Sequence, residues 1–365
     1  MKKVHKNTNE TPIQPQKQAI FFLLDKKIQE LTVAIFNANL LRPIKKRIEH
    51  IVFNGMSKTI ETQMLQRGKP KSNIAFCIVH WNAPDFLLLN VNKLELLYPD
   101  CSIFVLDNGS RQIVLNEVKK KLKQFKNITL FSSELKHWSL LKISGLDRVF
   151  LSYTHSKGLQ FLLNYAAKQQ IENAVFLDQD CILNRKVDQL IEKLNRDIWV
   201  IGARDYVFIP KNYALLRKKG ELLRYARNMI HASFMILRPL QIRQLFGDLA
   251  LIEESQVIKL YQHAHAQPFE VVEPYYGISI RTAGRILFLE TKMHDTIPLM
   301  TSYSNQGIIY AWHAWFSSRM TGFSSQQTLD GLPLAWLLEA RKATLEFMKQ
   351  ISVETSLEPS KTSTK

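Results

Sequence analysis

Cysteine is scarce in this chain, and long apolar runs are absent. The three cysteines (Cys77, Cys101 and Cys181) lack the CxxC spacing of metal sites, and an odd number is poor material for a disulfide framework. A reducing compartment is therefore expected. No stretch approaches the ~18 consecutive apolar residues that a membrane span needs, and the opening MKKVHKNTNETPIQPQKQ is too polar for a secretory signal. We expect a cytoplasmic protein that does not cross a membrane.

Acidic residues are also few: 32 Asp and Glu stand against 49 Lys and Arg, for a net charge of +17. Residues 1–71 hold 14 basic and 5 acidic residues, so this fifth of the chain carries an excess of 14 − 5 = 9 positive charges. Anionic lipid surfaces, nucleic acids and phosphorylated small molecules all attract such charge. No nucleic-acid recognition motif or basic-aromatic repeat is present, so a nucleic-acid partner is not expected.

The first 70 residues are predicted to form a basic helical extension. Apolar residues recur at helical spacing from Gln18 to Leu65, as in IFFLLDKKIQELTVAIF, with basic groups between them, and RGKPKSN at 67–73 resembles a linker. Two interpretations remain open: helices that pack on the main domain, or an amphipathic contact of residues 18–65 with an anionic membrane surface. Anionic lipid attracts each Lys or Arg near its surface by about 1 kcal/mol.

After the linker, strands and helices alternate. Length and the 46% hydrophobic content allow one large domain or two modest ones. The predicted strands are IAFCIVHW (74–81), CSIFVLDNGS (101–110), NITLFSS (127–133) and AVFLDQDCIL (174–183). This order predicts an α/β fold over residues 71–325, with a mostly parallel, Rossmann-like sheet and helices on both faces, followed by a C-terminal helix and polar tail at 326–365. Ligands bind at the carboxyl ends of the strands in such sheets.

Two acids follow the central strand one residue apart. Asp178 and Asp180 face the same way on an extended segment, because side chains there repeat every second residue. Paired carboxylates suit Mg²⁺ or Mn²⁺, which prefer oxygen ligands and complete their shell with water and phosphates. An exposed acidic turn is the alternative, since DxD alone is a short pattern. Asp107 ends another strand in LDNGS, so the two ends are expected to share a cleft.

Several segments of the sequence, in their order along the chain, resemble a known family. IAFCIVHWNAPDFLLLNVNKLELLYPDCSIFVLDNGS looks like the opening of family 2 glycosyltransferases of the GT-A fold, and the later matches keep the family's order over about 240 residues. Rhamnosyltransferase-like members, with LDQDS, are the nearest comparison. The later matches are SKGLQFLLN (156–164), FLDQD (176–180), HASFMILRP (231–239) and YAWHAWFSSRM (310–320).

The resemblance implies roles for single residues. Asp107 and Asn108 would contact the nucleotide of a sugar donor, and Asp180 would bind the metal that bridges the donor diphosphate. Asp178 would support the ribose or the metal shell. His313 and Arg319 would close over the diphosphate, where negative charge develops on the leaving group.

Transfer also needs a base that deprotonates the acceptor hydroxyl. Members of the family usually carry this acid after the SFMILR-like strand. Glu273 is the first candidate because PYYGISIRTAGR then resembles the family's following helix, and Glu254 and Asp248 are weaker candidates. The expected activity is an inverting, Mg²⁺- or Mn²⁺-dependent transfer from a nucleotide-diphosphate sugar to a glycan or lipid-linked acceptor in surface polysaccharide synthesis.

Two further functions remain open. The strand and DxD also resemble haloacid-dehalogenase-type phosphatases, in which the first acid is a phosphoryl nucleophile. In those phosphatases the DxD motif follows the first strand, whereas here other predicted strands precede the strand that carries it. The unclear base leaves open a catalytically inactive carbohydrate-binding or scaffold protein on the same fold.

Overall fold

The computed structural model describes residues 61–66, 72–133, 147–204, 230–247, 278, 282–297, 300–314 and 334–354. The strands of this part are β1 (Glu61–Gln66), β2 (Ile74–His80), β3 (Ser102–Asp107), β4 (Ile128–Ser133), β5 (Asn173–Asp178), β6 (Cys181–Leu183), β7 (Val200–Arg204), β8 (Ile230–Leu237), β9 (Ile286–Met293), β10 (Met300–Asn305) and β11 (Ile308–Ala314). The helices are α1 (Pro84–Leu97), α2 (Gln112–Leu122), α3 (Asp147–Lys168), α4 (Asp188–Ile191), α5 (Pro239–Phe246) and α6 (Leu334–Val353).

The described strands join in one eleven-stranded sheet of order β1-β4-β3-β2-β5-β8-β7-β9-β10-β11-β6. Strands β4, β3, β2 and β5 pair in parallel. Strand β8 runs antiparallel between β5 and β7, and β10, β11 and β6 extend the sheet in antiparallel fashion. The predicted α/β fold, with a Rossmann-like parallel core, is confirmed. The carboxyl ends of β2, β3 and β5 lie side by side, as the sequence predicts.

Helices cover both faces of the parallel core, also as predicted. On one face, Phe76 and Ile78 of β2 pack in a single apolar core with residues of α1 and α2 such as Leu87 and Val118. On the other face, Gly158 of α3 faces Leu106 and Val79, and a Cβ at Gly158 would lie only 2.9 Å from the Leu106 side chain. Residues of β2 alternate between the two covered faces, so the strand is apolar almost throughout.

The first strand corrects one prediction. Helical spacing predicts helix up to Leu65, but Glu61–Gln66 forms β1 and pairs antiparallel with β4, with a register shift between Gln63 and Leu65. The outer edge of β4 would otherwise present a row of unpaired N–H and C=O groups, and pairing with β1 satisfies them. Tertiary hydrogen bonding therefore overrides the local helical pattern. The rest of the predicted extension lies outside the described residues.

The C-terminal helix α6 packs on α1. The Lys93 side chain is fully buried, and its Nζ donates to the Ile351 carbonyl at 2.7 Å and to the Glu354 carbonyl. Ile351 lies in the last turn of α6 and Glu354 directly follows the helix, so Lys93 caps its C-terminal end. No helix in the described part of the chain is long and apolar enough to span a membrane.

Close packing at Gly202 gives a test of the β7–β8 pair. A Cβ at Gly202 would lie 2.5 Å from Cγ2 and 3.1 Å from Cγ1 of Ile230. Gly202→Ala is therefore expected to destabilise the protein by about 1–3 kcal/mol, the usual cost of overpacking a core. Chemical denaturation measures this change. In an Ile230→Ala background the same substitution should cost clearly less, and an equal cost in both backgrounds would contradict the steric explanation.

Candidate metal and donor site

Two acids frame the tight turn between β5 and β6. Asp178 is the last residue of β5, and Asp180 immediately precedes β6. Their side chains are only 19% and 7% exposed, so both carboxylates are largely withdrawn from water. Carboxylates so withdrawn from water need compensation by cations or donors. The acidic pair lies at the carboxyl end of the parallel core, as the sequence predicts.

The turn is held from three sides. The Gln179 side chain accepts from the backbone N–H of Trp81 at 2.8 Å and donates to the carbonyl of the same residue at 3.2 Å. Asn90 of α1 donates to the carbonyls of Asp178 and Cys181 at 3.3 and 2.8 Å. The N–H of Ala314 in β11 donates to the Asp180 carbonyl at 3.1 Å. These bonds fix the backbone that carries the two carboxylates.

Strand β11 brings a histidine to the acids. In the β6–β11 ladder His313 is paired with Cys181. Its Nε2 lies 3.6 Å from Asp180 Oδ1 and 3.9 Å from Asp178 Oδ2, and the three ligand atoms lie within 4.8 Å of one another. These distances exceed a hydrogen bond, and they lie between the separations of neighbouring and of opposite ligands of one octahedral ion with bonds of ~2.1 Å. The sequence placed His313 near the diphosphate; the structure places it among candidate metal ligands.

A second histidine supports Asp178. His155, in the N-terminal half of α3, has its Nε2 3.2 Å from Asp178 Oδ1. Burial raises the pKa of Asp178, but the charge and the hydrogen bond of His155 oppose that effect, and the pKa lies below its usual value. Asp178 is therefore an ionised candidate ligand at neutral pH. Sequence reasoning missed His155, although it directly precedes the SKGLQFLLN segment that carries the family resemblance.

Asp107 occupies a different environment. It is fully buried, and its carboxylate accepts from His80 Nδ1 at 2.8 Å and from the Ser110 N–H at 3.0 Å. The Ala83 N–H donates to His80 Nε2, so His80 carries its proton on Nδ1, facing Asp107. The neighbouring Asn108 is buried and accepts from the Ser133 hydroxyl at 3.3 Å. The nucleotide contacts of both residues stay predictions; the described bonds of Asp107 shape the loop after β3.

Asn82 ties the loops after β2 and β3 together. Asn82 accepts from the Arg111 N–H at 2.9 Å, and its own N–H donates to the Ser110 hydroxyl at 2.8 Å. Its backbone takes φ = 50°, a left-handed conformation in which Asn is enriched. The two strand ends beside the acidic turn therefore form one connected rim.

Four predicted site residues lie outside the described part of the chain: the candidate bases Glu273, Glu254 and Asp248, and Arg319. The predicted SFMILR strand is β8, which pairs with β5 immediately beside the acidic turn. The structure thus brings together Asp178, Asp180 and His313, and adds His155, Gln179 and Asn90 to the residues that hold them.

No protein-family model matches this sequence, and no curated protein matches it. Among solved structures, the galactosyltransferase LgtC with donor and acceptor sugar analogues shares 13% identity over 59% of this chain and 73% of that one, at a TM-score of 0.34. The mannosyltransferase PcManGT from Pyrobaculum calidifontis, in complex with GDP-Man and Mn²⁺, shares 12% sequence identity. The match covers 73% of this chain and 70% of that one, at a TM-score of 0.30. S. aureus TarS shares 15% sequence identity over 60% of this chain and 35% of that one, at a TM-score of 0.34. At these TM-scores the overlap assigns no function, and the family 2 and rhamnosyltransferase-like resemblance stays a prediction.

The acidic pair gives a test of metal binding. Mn²⁺ is expected to raise the melting temperature of the wild-type protein, because a ligand that binds the folded state stabilises it. Asp180→Asn removes one anionic ligand and should abolish this increase. Without metal, the same variant should melt at or above the wild-type temperature, because repulsion from Asp178 is relieved.

Asp197→Asn is the matched control, since Asp197 is exposed in the turn before β7. This variant should respond to Mn²⁺ as the wild type does. Differential scanning fluorimetry measures these melting temperatures. An equal increase with Mn²⁺ in Asp180→Asn and in the wild type would contradict the ligand role of Asp180.

Proposed function

We propose that the protein is a metal-dependent glycosyltransferase that moves a sugar from a nucleotide-diphosphate donor to a hydroxyl of a glycan or lipid-linked acceptor. The observation that carries the proposal is the convergence of Asp178, Asp180 and His313 at the carboxyl end of a parallel sheet. Ligands of α/β sheets bind there, and a diphosphate needs a cation beside it. The order of motifs in the sequence supports the same conclusion.

The donor set suits Mn²⁺ or Mg²⁺. Two carboxylates and one imidazole leave positions for water and phosphate oxygens, and the imidazole favours Mn²⁺ over the strictly oxygen-seeking Mg²⁺. Asp178, Asp180 and His313 would hold the ion. When bound, it would offset the charge of the departing diphosphate.

The protein's own residues would orient the donor. The rim after β2 and β3, which contains Asp107 and Asn108, is proposed to receive the nucleotide, with Asp107 acting by shaping the loop through His80 and Ser110. Arg319 is proposed to contact the diphosphate as a hydrogen-bond donor placed where charge develops. Strand β8 would form the wall on the acceptor side. The stereochemical outcome we propose, inversion, follows from the family resemblance alone.

Donor binding is the first test of this function. The purified protein is titrated with UDP-, GDP- and dTDP-sugars, with and without Mn²⁺, and the melting temperature is followed. One nucleotide class should stabilise the wild type only when Mn²⁺ is present, and Asp180→Asn should show no such effect. Stabilisation independent of metal, or no stabilisation by any donor, would contradict the proposal and favour the inactive-scaffold or phosphatase alternatives.

The acceptor base gives a second test. Glu273 is the proposed base, followed by Glu254 and Asp248. Glu273→Gln should lower kcat by about 10²–10⁴-fold, the usual contribution of general base catalysis, while donor affinity stays within twofold. Steady-state kinetics with a soluble acceptor, alongside donor binding by calorimetry, separates these effects. A wild-type kcat in Glu273→Gln, with loss in Glu254→Gln or Asp248→Asn, would move the role to that residue.

A further inference from the structure

A chain of buried hydrogen bonds runs from His313 to β8. His313 Nδ1 lies 2.9 Å from the Tyr303 hydroxyl, which lies 2.5 Å from Ser233 Oγ, and this oxygen lies 2.7 Å from His231 Nδ1. The four side chains are at most 9% exposed. Each hydroxyl has one proton to donate, so the direction of one bond in the chain determines the direction of the others.

A backbone amide determines that direction. The Ser233 N–H donates to His231 Nδ1 at 3.2 Å, and because an amide N–H can only donate, this ring nitrogen carries no proton. The Ser233 hydroxyl, 2.7 Å from the same nitrogen, must therefore donate to it as well. The Ser233 oxygen is then the acceptor for the Tyr303 O–H.

The last bond sets the tautomer of His313. Because the Tyr303 proton is donated to Ser233, the Tyr303 oxygen must accept from the ring, and His313 carries its proton on Nδ1. Its Nε2 then presents a lone pair to Asp178 and Asp180. That nitrogen lies 3.6 Å from Asp180 Oδ1 and 3.9 Å from Asp178 Oδ2, both longer than a hydrogen bond.

We propose that Tyr303, Ser233 and His231 form a positioning relay that holds His313 in the tautomer and ring orientation that bind a divalent cation. The inference rests on the metal site of the proposed function. None of the three residues is one of the candidate ligands, and they act through His313. Metal-bound histidines commonly donate their other N–H to a fixed partner, and loss of such a partner costs about 10–100-fold in metal affinity.

Metal affinity tests the relay. Tyr303→Phe keeps the aromatic ring that stacks on His313, with ring centroids 5.9 Å apart. It removes the hydroxyl oxygen that accepts the hydrogen bond from His313 Nδ1. We expect Mn²⁺ to bind at least about tenfold more weakly, measured by electron paramagnetic resonance titration of free Mn²⁺. Tyr310→Phe is the matched control, because the Tyr310 hydroxyl bonds Gln189 instead, at 3.0 Å. Its Mn²⁺ affinity should equal that of the wild type; equal affinity in Tyr303→Phe would overturn the proposal.

The tautomer itself is observable without metal. In ¹⁵N-histidine-labelled wild-type protein, which has 10 histidines, the His313 signals are assigned by their loss in His313→Gln. They should show a neutral ring with its proton on Nδ1, and Ser233→Ala or Tyr303→Phe should admit the Nε2–H form. A wild-type ring with its proton on Nε2 would overturn the proposal even if both relay variants fold poorly. If the wild type binds Mn²⁺ and shows the Nδ1–H tautomer but binds no nucleotide sugar, the relay stands and the proposed function is contradicted.

Discussion

The structure depends on an electrostatic constraint at the end of β5. Asp178 and Asp180 are both largely buried, and the nearest ring nitrogen of β11, His313 Nε2, lies too far from either for a hydrogen bond. Like charges withdrawn from water raise the free energy of the fold unless a cation or donors compensate them. His155 compensates Asp178 in part. A divalent ion between the three ligand atoms would compensate the rest, which explains why a stable chain would keep this arrangement.

The fold achieves this arrangement through backbone contacts more than through side chains of the site. The parallel core places Asp178 at the carboxyl end of its strands, and the short strand β6 follows after a tight turn. Strand β11 then pairs with β6 and contributes His313, while Asn90 and Gln179 hold the turn. Because the three candidate ligands belong to β5, to the turn after it and to β11, the site forms only when these strands and β6 are in place. Rigid support of this kind is what accurate metal binding requires.

The sequence predicted those parts of the molecule that local patterns determine. The apolar runs of β2, β3 and β5, each followed by a turn, revealed the parallel core, and the period of two placed Asp178 and Asp180 on one side. Strand β1 was misread as helix because its pairing with β4 depends on residues about 70 positions away. A local pattern carries no information about such a partner.

The supporting residues of the site were missed for related reasons. Gln179 reads as a spacer between two acids, yet both of its side-chain groups bond the Trp81 backbone. His155 lies within a helix, where the pattern does not say which residue faces the end of β5. Ser233 and Tyr303 look like ordinary strand residues until the fold brings the hydroxyls of β8 and β10 together. Each role arises from a contact between residues far apart in the sequence.

Asp178, Asp180 and His313 are proposed to hold a cation that also contacts a diphosphate. Pulsed electron paramagnetic resonance of Mn²⁺ bound to the protein measures both contacts in one sample. We expect a nitrogen coupling from a single directly bound imidazole, lost in His313→Gln, and phosphorus couplings that appear when a nucleoside diphosphate is added. A spectrum without nitrogen coupling, or one unaffected by the nucleotide, would contradict this proposal.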